Sequence, residues 1–258
     1  MFPDRCVAKS PSEHLCSAAD NRWVSTTFAC RESIAASDAR ALSARFAQTL
    51  RWNRHEVTEL FHSTDGVAAP GQAPIRFTNA HGGFGLLAMG EKGIAALERV
   101  APRMQAMWEV AIRGPIRVRM LSGVCRIGEK PARQHHVIER MVVQKKPSHM
   151  RAIADDERKH IQALISRGIA RQAAEMGLTV PELGVRLISW SSARPTPIGH
   201  DCGMRCHTIC DVRFETTVAL EGWWAVGFLT ARGLGLLDTR HSLMAGAADI
   251  LEHADVAQ

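Results

Sequence analysis

From Cys206 to Leu220 every even position holds an apolar or small residue: Cys206, Thr208, Cys210, Val212, Phe214, Thr216, Val218 and Leu220. The odd positions are mostly polar, among them His207, Asp211, Arg213, Glu215 and Thr217. Side chains alternate between faces along a strand, so a period of two marks a strand with one buried face. That strand leads into Val226-Gly227-Phe228-Leu229-Thr230-Ala231-Arg232-Gly233-Leu234-Gly235-Leu236-Leu237. Glycines at 227, 233 and 235 remove Cβ atoms, which lets the backbone approach a ligand and turn N–H groups toward phosphate oxygens. Arg232 is the one cation inside the loop. A strand feeding such a loop in a basic chain points to RNA.

The charge is segregated. The chain carries +6 over 258 residues, but Arg103 to Arg171 alone holds 15 Lys+Arg against 6 Asp+Glu. Eleven of those 15 are arginine, the better fork for phosphate. A basic block of this kind suits a polyanionic partner. No apolar run reaches the ~20 residues of a membrane helix, and the start lacks the hydrophobic segment of a signal peptide. Seven cysteines without a disulfide-framework spacing suit a reducing cytoplasm. Tyrosine is absent, which removes one common acid/base side chain.

Residues 1–21 read as a loosely structured lead, followed by a strand over Trp23 to Cys30. Ser37 caps a helix to about Trp52, with Leu42, Phe46 and Leu50 on one face. Short strands are expected at Val57 to Ser63 and Ile75 to Thr78, and His81 to Gly85 reads as a turn. A helix over Glu91 to Ile112 and a strand over Pro115 to Ile127 complete a β-α-β-β-α-β order, the ferredoxin-like arrangement. The second half repeats the theme with a strand over Val137 to Val143 and a basic helix to Met176. Strands over Val185 to Trp190 and Cys206 to Leu220 follow, then the glycine-rich loop and a short helix from Ser242 to His253. A boundary is expected near Gly128 to Gln134, giving units 1–128 and 129–258. The fold class expected is α+β: two ferredoxin-like halves with a basic helical insertion (about 149–176) and a C-terminal glycine-rich loop (227–235).

Two such halves, a Gly-x5-Gly-x-Gly loop at Gly227, Gly233 and Gly235, and a basic face resemble the repeat-associated (RAMP) superfamily of CRISPR proteins. The size and the single late glycine loop resemble its endonucleases that cut precursor CRISPR RNA. The arginine-rich first half and basic central helix are most similar to the type IV version. The resemblance implies an enzyme that binds a repeat stem-loop and cleaves at its 3′ base with no metal or other cofactor. The 2′-OH would attack the adjacent phosphate, leaving a 2′,3′-cyclic phosphate and a 5′-OH. It also implies that the product RNA stays bound and that other CRISPR effector subunits are partners, with no membrane involved. A non-catalytic RNA-binding subunit of the same kind of ribonucleoprotein is the alternative.

The family's usual first-helix histidine is missing. Arg40 and Arg45 stand there instead, with Arg22 before the first strand and Arg240 after the glycine loop. Arginine does not readily give up a proton, but it holds developing charge. These four are the candidate catalytic residues, while His55 and His241 are candidate proton shuttles. Arg40 and Arg45 diverge by roughly 140° on the helix. Candidate RNA contacts are Gly227, Arg232, Gly233 and Gly235 in the loop, and Lys145, Lys146, His160, Arg167 and Arg171 on and before the central helix. Trp223-Trp224 could stack a base. His200, Cys202, Cys206 and Cys210 invite a zinc reading, but Cys206 and Cys210 are about 13 Å apart on one strand face, too far for one ion.

Overall fold

The computed structural model describes residues 21–30, 34–61, 63–64, 67–68, 74–80, 83–144, 156–197 and 205–239. The fold mixes helices with antiparallel sheets. In the first half, β1 (Arg22–Ala29) is followed by α1 (Ala36–Thr49), α2 (Arg54–Phe61), a hairpin of β2 (Ser63–Thr64) and β3 (Val67–Ala68), and β4 (Ile75–Ala80). β5 (Gly83–Met89), α3 (Gly90–Ile112) and β6 (Arg117–Val124) complete it. The four long strands form one antiparallel sheet in the order β4-β5-β1-β6. Phe28, Phe77, Phe84 and Leu86 cover one face and pack against Ala39, Ala47, Leu97, Met104 and Trp108 of α1 and α3. Phe84 sits at the centre of that packing, its ring 5.1 Å from Phe28 and 4.8 Å from Trp108.

Two expectations for this half are corrected. Val57 to Phe61 is helical, not a strand. Asn53 Oδ1 accepts from the Glu56 amide at 3.0 Å, and Glu56 Oε2 accepts from the Asn53 amide at 3.3 Å. This reciprocal capping box outweighs the β-branched Val57 and Thr58. Of the turn expected over His81 to Gly85, Gly83 to Gly85 belong instead to a strand that runs to Met89, and His81 and Gly82 lie outside the described residues. The strand is buried on both faces, so it shows no alternation. The first amide of α1 is satisfied from outside the helix: Ala35 is the N-cap residue, and Asn79 Oδ1 accepts from the Ala36 amide at 2.8 Å.

The second half opens with β7 (Arg126–Gln144), which runs straight through the boundary expected at Gly128 to Gln134. α4 (Glu157–Glu175), β8 (Val185–Ser192), β9 (Thr196–Pro197) and β10 (Arg205–Glu221) follow. The short β11 (Trp223–Ala225) and β12 (Leu236–Asp238) flank the glycine-rich loop. The second sheet has the order β7-β10-β8, with β9 on the end of β10. Among the described residues it has three long strands and one helix, fewer than the first half. Ile161, Leu164, Ile165 and Ile169 of α4 pack on Ile138, Val212, Phe214 and Leu187. Asp156 accepts from the Lys159 amide and caps α4.

The alternation along β10 breaks most sharply near Asp211. Asp211 adopts φ +51°, Ile209 is buried and Cys210 is half-exposed. Beyond that kink, Cys206 and Val142 meet Leu234 of the glycine-rich loop, while Ile209 stays in the core under α4. Trp223 and Trp224 are both buried, so neither ring is free to stack a base. Among the described residues no three His, Cys, Asp or Glu side chains gather as a metal site. His200 and Cys202 lie outside the described residues. No described helix is long and apolar enough to cross a membrane.

Candidate nucleic-acid interface at the glycine-rich loop

The glycine-rich loop is clamped between the two halves. On one side the Phe228 amide donates to Val142 O at 3.1 Å, and the Gly235 amide donates to Arg140 O at 2.6 Å. On the other, a short 3-10 turn, Thr230–Arg232, rests against β4 and α1. Gly227, Gly233 and Gly235 all have positive φ, which side-chain-bearing residues rarely adopt. A Cβ on Gly233 would stand 2.7 Å from both Ala36 Cβ and Phe77 O. One on Gly235 would lie 1.9 Å from Val226 O. The close backbone approach expected from the sequence is therefore made to the protein's own chain.

That docking brings Arg232 to Arg40. Arg40 Nη2 donates to Phe61 O at 2.7 Å, and its guanidinium lies 5.6 Å from the Phe61 ring centroid. Its Nε is buried without an acceptor among the described residues. Burial first, and the neighbouring Arg232 charge second, lower the Arg40 pKa to about 10. No carboxylate pairs with Arg40 among the described residues. Two like charges held together in a half-buried setting make a site that favours an anion.

The other sequence-predicted residues are dispersed. Arg22 is exposed at the first position of β1, roughly 23 Å of strand away from the end that leads into α1. Arg45 is exposed further along α1. Arg40 and Arg45 do diverge, as their spacing requires. Arg167 and Arg171 are exposed on α4, with Arg171 loosely paired to Glu175 at 4.0 Å. His160 turns inward, its Nε2 3.0 Å from Val143 O, so it ties α4 to β7 rather than facing a ligand. His55 is paired with Glu59 at 3.0 Å on α2. Lys145, Lys146, Arg240 and His241 lie outside the described residues.

Sequence reasoning missed Asn79 and Phe61. Asn79 caps α1 and also donates through Nδ2 to Glu139 Oε2 at 3.0 Å, joining the two halves beside the loop. Phe61 supplies the carbonyl that orients Arg40. Both act across long sequence separations, so no local pattern announces them.

Two solved structures share the fold. Csf5, a CRISPR-Cas type IV Cas6 crRNA endonuclease, matches with TM-score 0.58 at 16% identity, covering 84% of this chain and 98% of that one. Cas6b matches with TM-score 0.57 at 13% identity, covering 84% and 99%. A family model for the type IV CRISPR-associated endonuclease Csf5 matches residues 22–242, and the chain belongs to that family. Among curated proteins none matches the chain.

Proposed function

We propose that this endonuclease cleaves precursor CRISPR RNA at the repeat stem-loop without a metal and keeps the mature crRNA bound for effector assembly. The observation that carries the reading is the placement of Arg232 beside the half-buried Arg40, with which no carboxylate pairs among the described residues. In-line attack of the 2′-OH on the adjacent phosphorus forms one P–O bond and breaks the bond to the 5′-oxygen. The 2′-OH loses its proton, the leaving oxygen gains one, and the phosphorane carries extra negative charge between. Two guanidiniums fixed before the reaction stabilise that charge without reorganising. Arg40, fixed by the Phe61 carbonyl and still charged at neutral pH, serves that charge as a donor of hydrogen bonds and not of a proton.

The architecture supports this reading as a pair of ferredoxin-like halves, the second with the β7-β10-β8 core of that topology. Arg22 and Arg45, which stand apart from the loop, are assigned to RNA-backbone contacts away from the reacting phosphate, and Arg240, which follows the loop in sequence, to one beside it. The exposed edge of α4, with Arg167, Arg171 and the preceding Lys145 and Lys146, is assigned to the phosphates of the stem, read by shape. Incubating the purified protein with its repeat RNA in EDTA tests the proposal. Cleavage leaving a 2′,3′-cyclic phosphate and a 5′-OH is expected. No cut, or a product with a plain 3′-OH, contradicts it.

A further inference from the structure

Among the described residues the first sheet ends in an open edge. β6 pairs with β1 alone among the described residues, and every residue from Arg117 to Ser122 is exposed. Its register sets Arg117, Arg119 and Leu121 opposite Ala29, Thr27 and Ser25, on the side of the sheet that bears Trp23. Val118 and Met120 stand opposite Phe28 and Thr26, on the helix side. Arg113, with φ +51°, closes α3 just before the strand.

Six exposed arginines elsewhere are neutralised. Arg99, Arg103, Arg126, Arg133, Arg171 and Arg186 each meet a carboxylate. Arg113, Arg117 and Arg119 meet none among the described residues. The fold holds two like charges at adjacent same-face positions of one strand, roughly 6.7 Å apart, with a third nearby. That interval is close to the step between successive phosphates of an extended nucleic-acid strand. Leu121, next along the same face and 37% exposed, offers apolar surface that an unpaired base can cover and a paired one cannot. A protein partner would have to bring compensating acids. An RNA strand brings one at every step.

We infer that β6 is a second RNA-binding surface, in which Arg117 and Arg119, with Arg113 at its entrance, track the backbone of single-stranded RNA flanking the stem-loop. The inference rests on the RNA-cleavage reading above and adds a contact outside the loop and α4. β6 itself carries no aromatic ring and Trp23 is buried, so binding there is electrostatic and tolerant of sequence.

The test uses the full chain and two labelled RNAs: the repeat stem-loop alone, and the same stem-loop with a short single-stranded flank. Affinity is measured across a salt series for the wild type and for Arg117→Gln/Arg119→Gln. The flank should tighten wild-type binding, and the double variant should lose that gain. For the flanked RNA its salt slope should fall by about 1.4, at roughly 0.7 per lost contact on a single strand. Its binding to the bare stem-loop should be unchanged. Equal behaviour of wild type and variant on both RNAs overturns the proposal. So does an unchanged RNA affinity accompanied by an altered mass in solution, which would make β6 a protein contact. If the wild type binds neither RNA, the RNA-cleavage reading itself falls.

Discussion

Arg40 is held by a carbonyl, a ring and a neighbouring charge, and these contacts divide its roles. The Phe61 carbonyl and ring fix the guanidinium, while burial first and Arg232 second lower its pKa to about 10. It stays charged at neutral pH. Its folded-state pKa lies below the free value, so the buried charge is a cost to folding, relieved only as pH rises through about 10. Arg40→Met keeps an apolar stem near Phe61 and removes that cost. Its unfolding free energy in urea should lie within about 1 kcal/mol of the wild type. Cleavage by Arg40→Met, and separately by Arg232→Ala, should slow by about 100-fold or more with RNA affinity little changed, as for loss of one charge-stabilising donor. Single-turnover rates at saturating enzyme check this. Normal cleavage by both variants, with loss in His55→Ala or His241→Ala, would return the chemistry to histidine.

At the scale of elements, α1, α3, α4 and β10 were legible because each has one buried and one exposed face, β1 through its β-branched and aromatic residues, and β6 through the alternation of Val118 and Met120 with Arg117 and Arg119. β5 was not, since burial on both sides erases its period. α2 was not either, because the Asn53–Glu56 capping box decides what Val57 and Thr58 alone misstate. The glycine-rich loop was legible as a special segment, but the reason for its glycines was not. The neighbours that forbid a Cβ are Ala36, Phe77 and Val226, two of them far away in sequence. Gly235→Ala should therefore destabilise the fold by about 2 kcal/mol or more, from positive φ together with backbone collision. Urea denaturation measures it. A variant as stable as the wild type that fails to bind RNA would restore the ligand-facing role.

Across the whole molecule, the site exists because two sheets meet. Trp23 and Leu87 of the first sheet are buried in the core of the second, Asn79 bonds to Glu139, and the loop spans from β7 to β4. None of these contacts has a sequence signature, so the sequence supplies candidate arginines but not the pairing of Arg40 with Arg232. The basic block was legible as a whole, and the structure distributes its described members over α3, β6, β7 and α4. Neutralising Lys145, Lys146, Arg167 and Arg171 together should weaken stem-loop binding and lower the salt slope by roughly 0.7–0.9 per lost contact. An unchanged slope would mean that this edge faces away from RNA.

The central claim is that the RNA's own 2′-OH is the nucleophile and that the protein supplies charge rather than a metal-bound water. Replacing the single ribose 5′ to the scissile phosphate with 2′-deoxyribose tests it most directly. In EDTA the wild type should bind this RNA as tightly as the unmodified repeat and leave it intact over times that cleave the repeat completely. Cutting of the deoxy-substituted RNA at the same position would contradict the account.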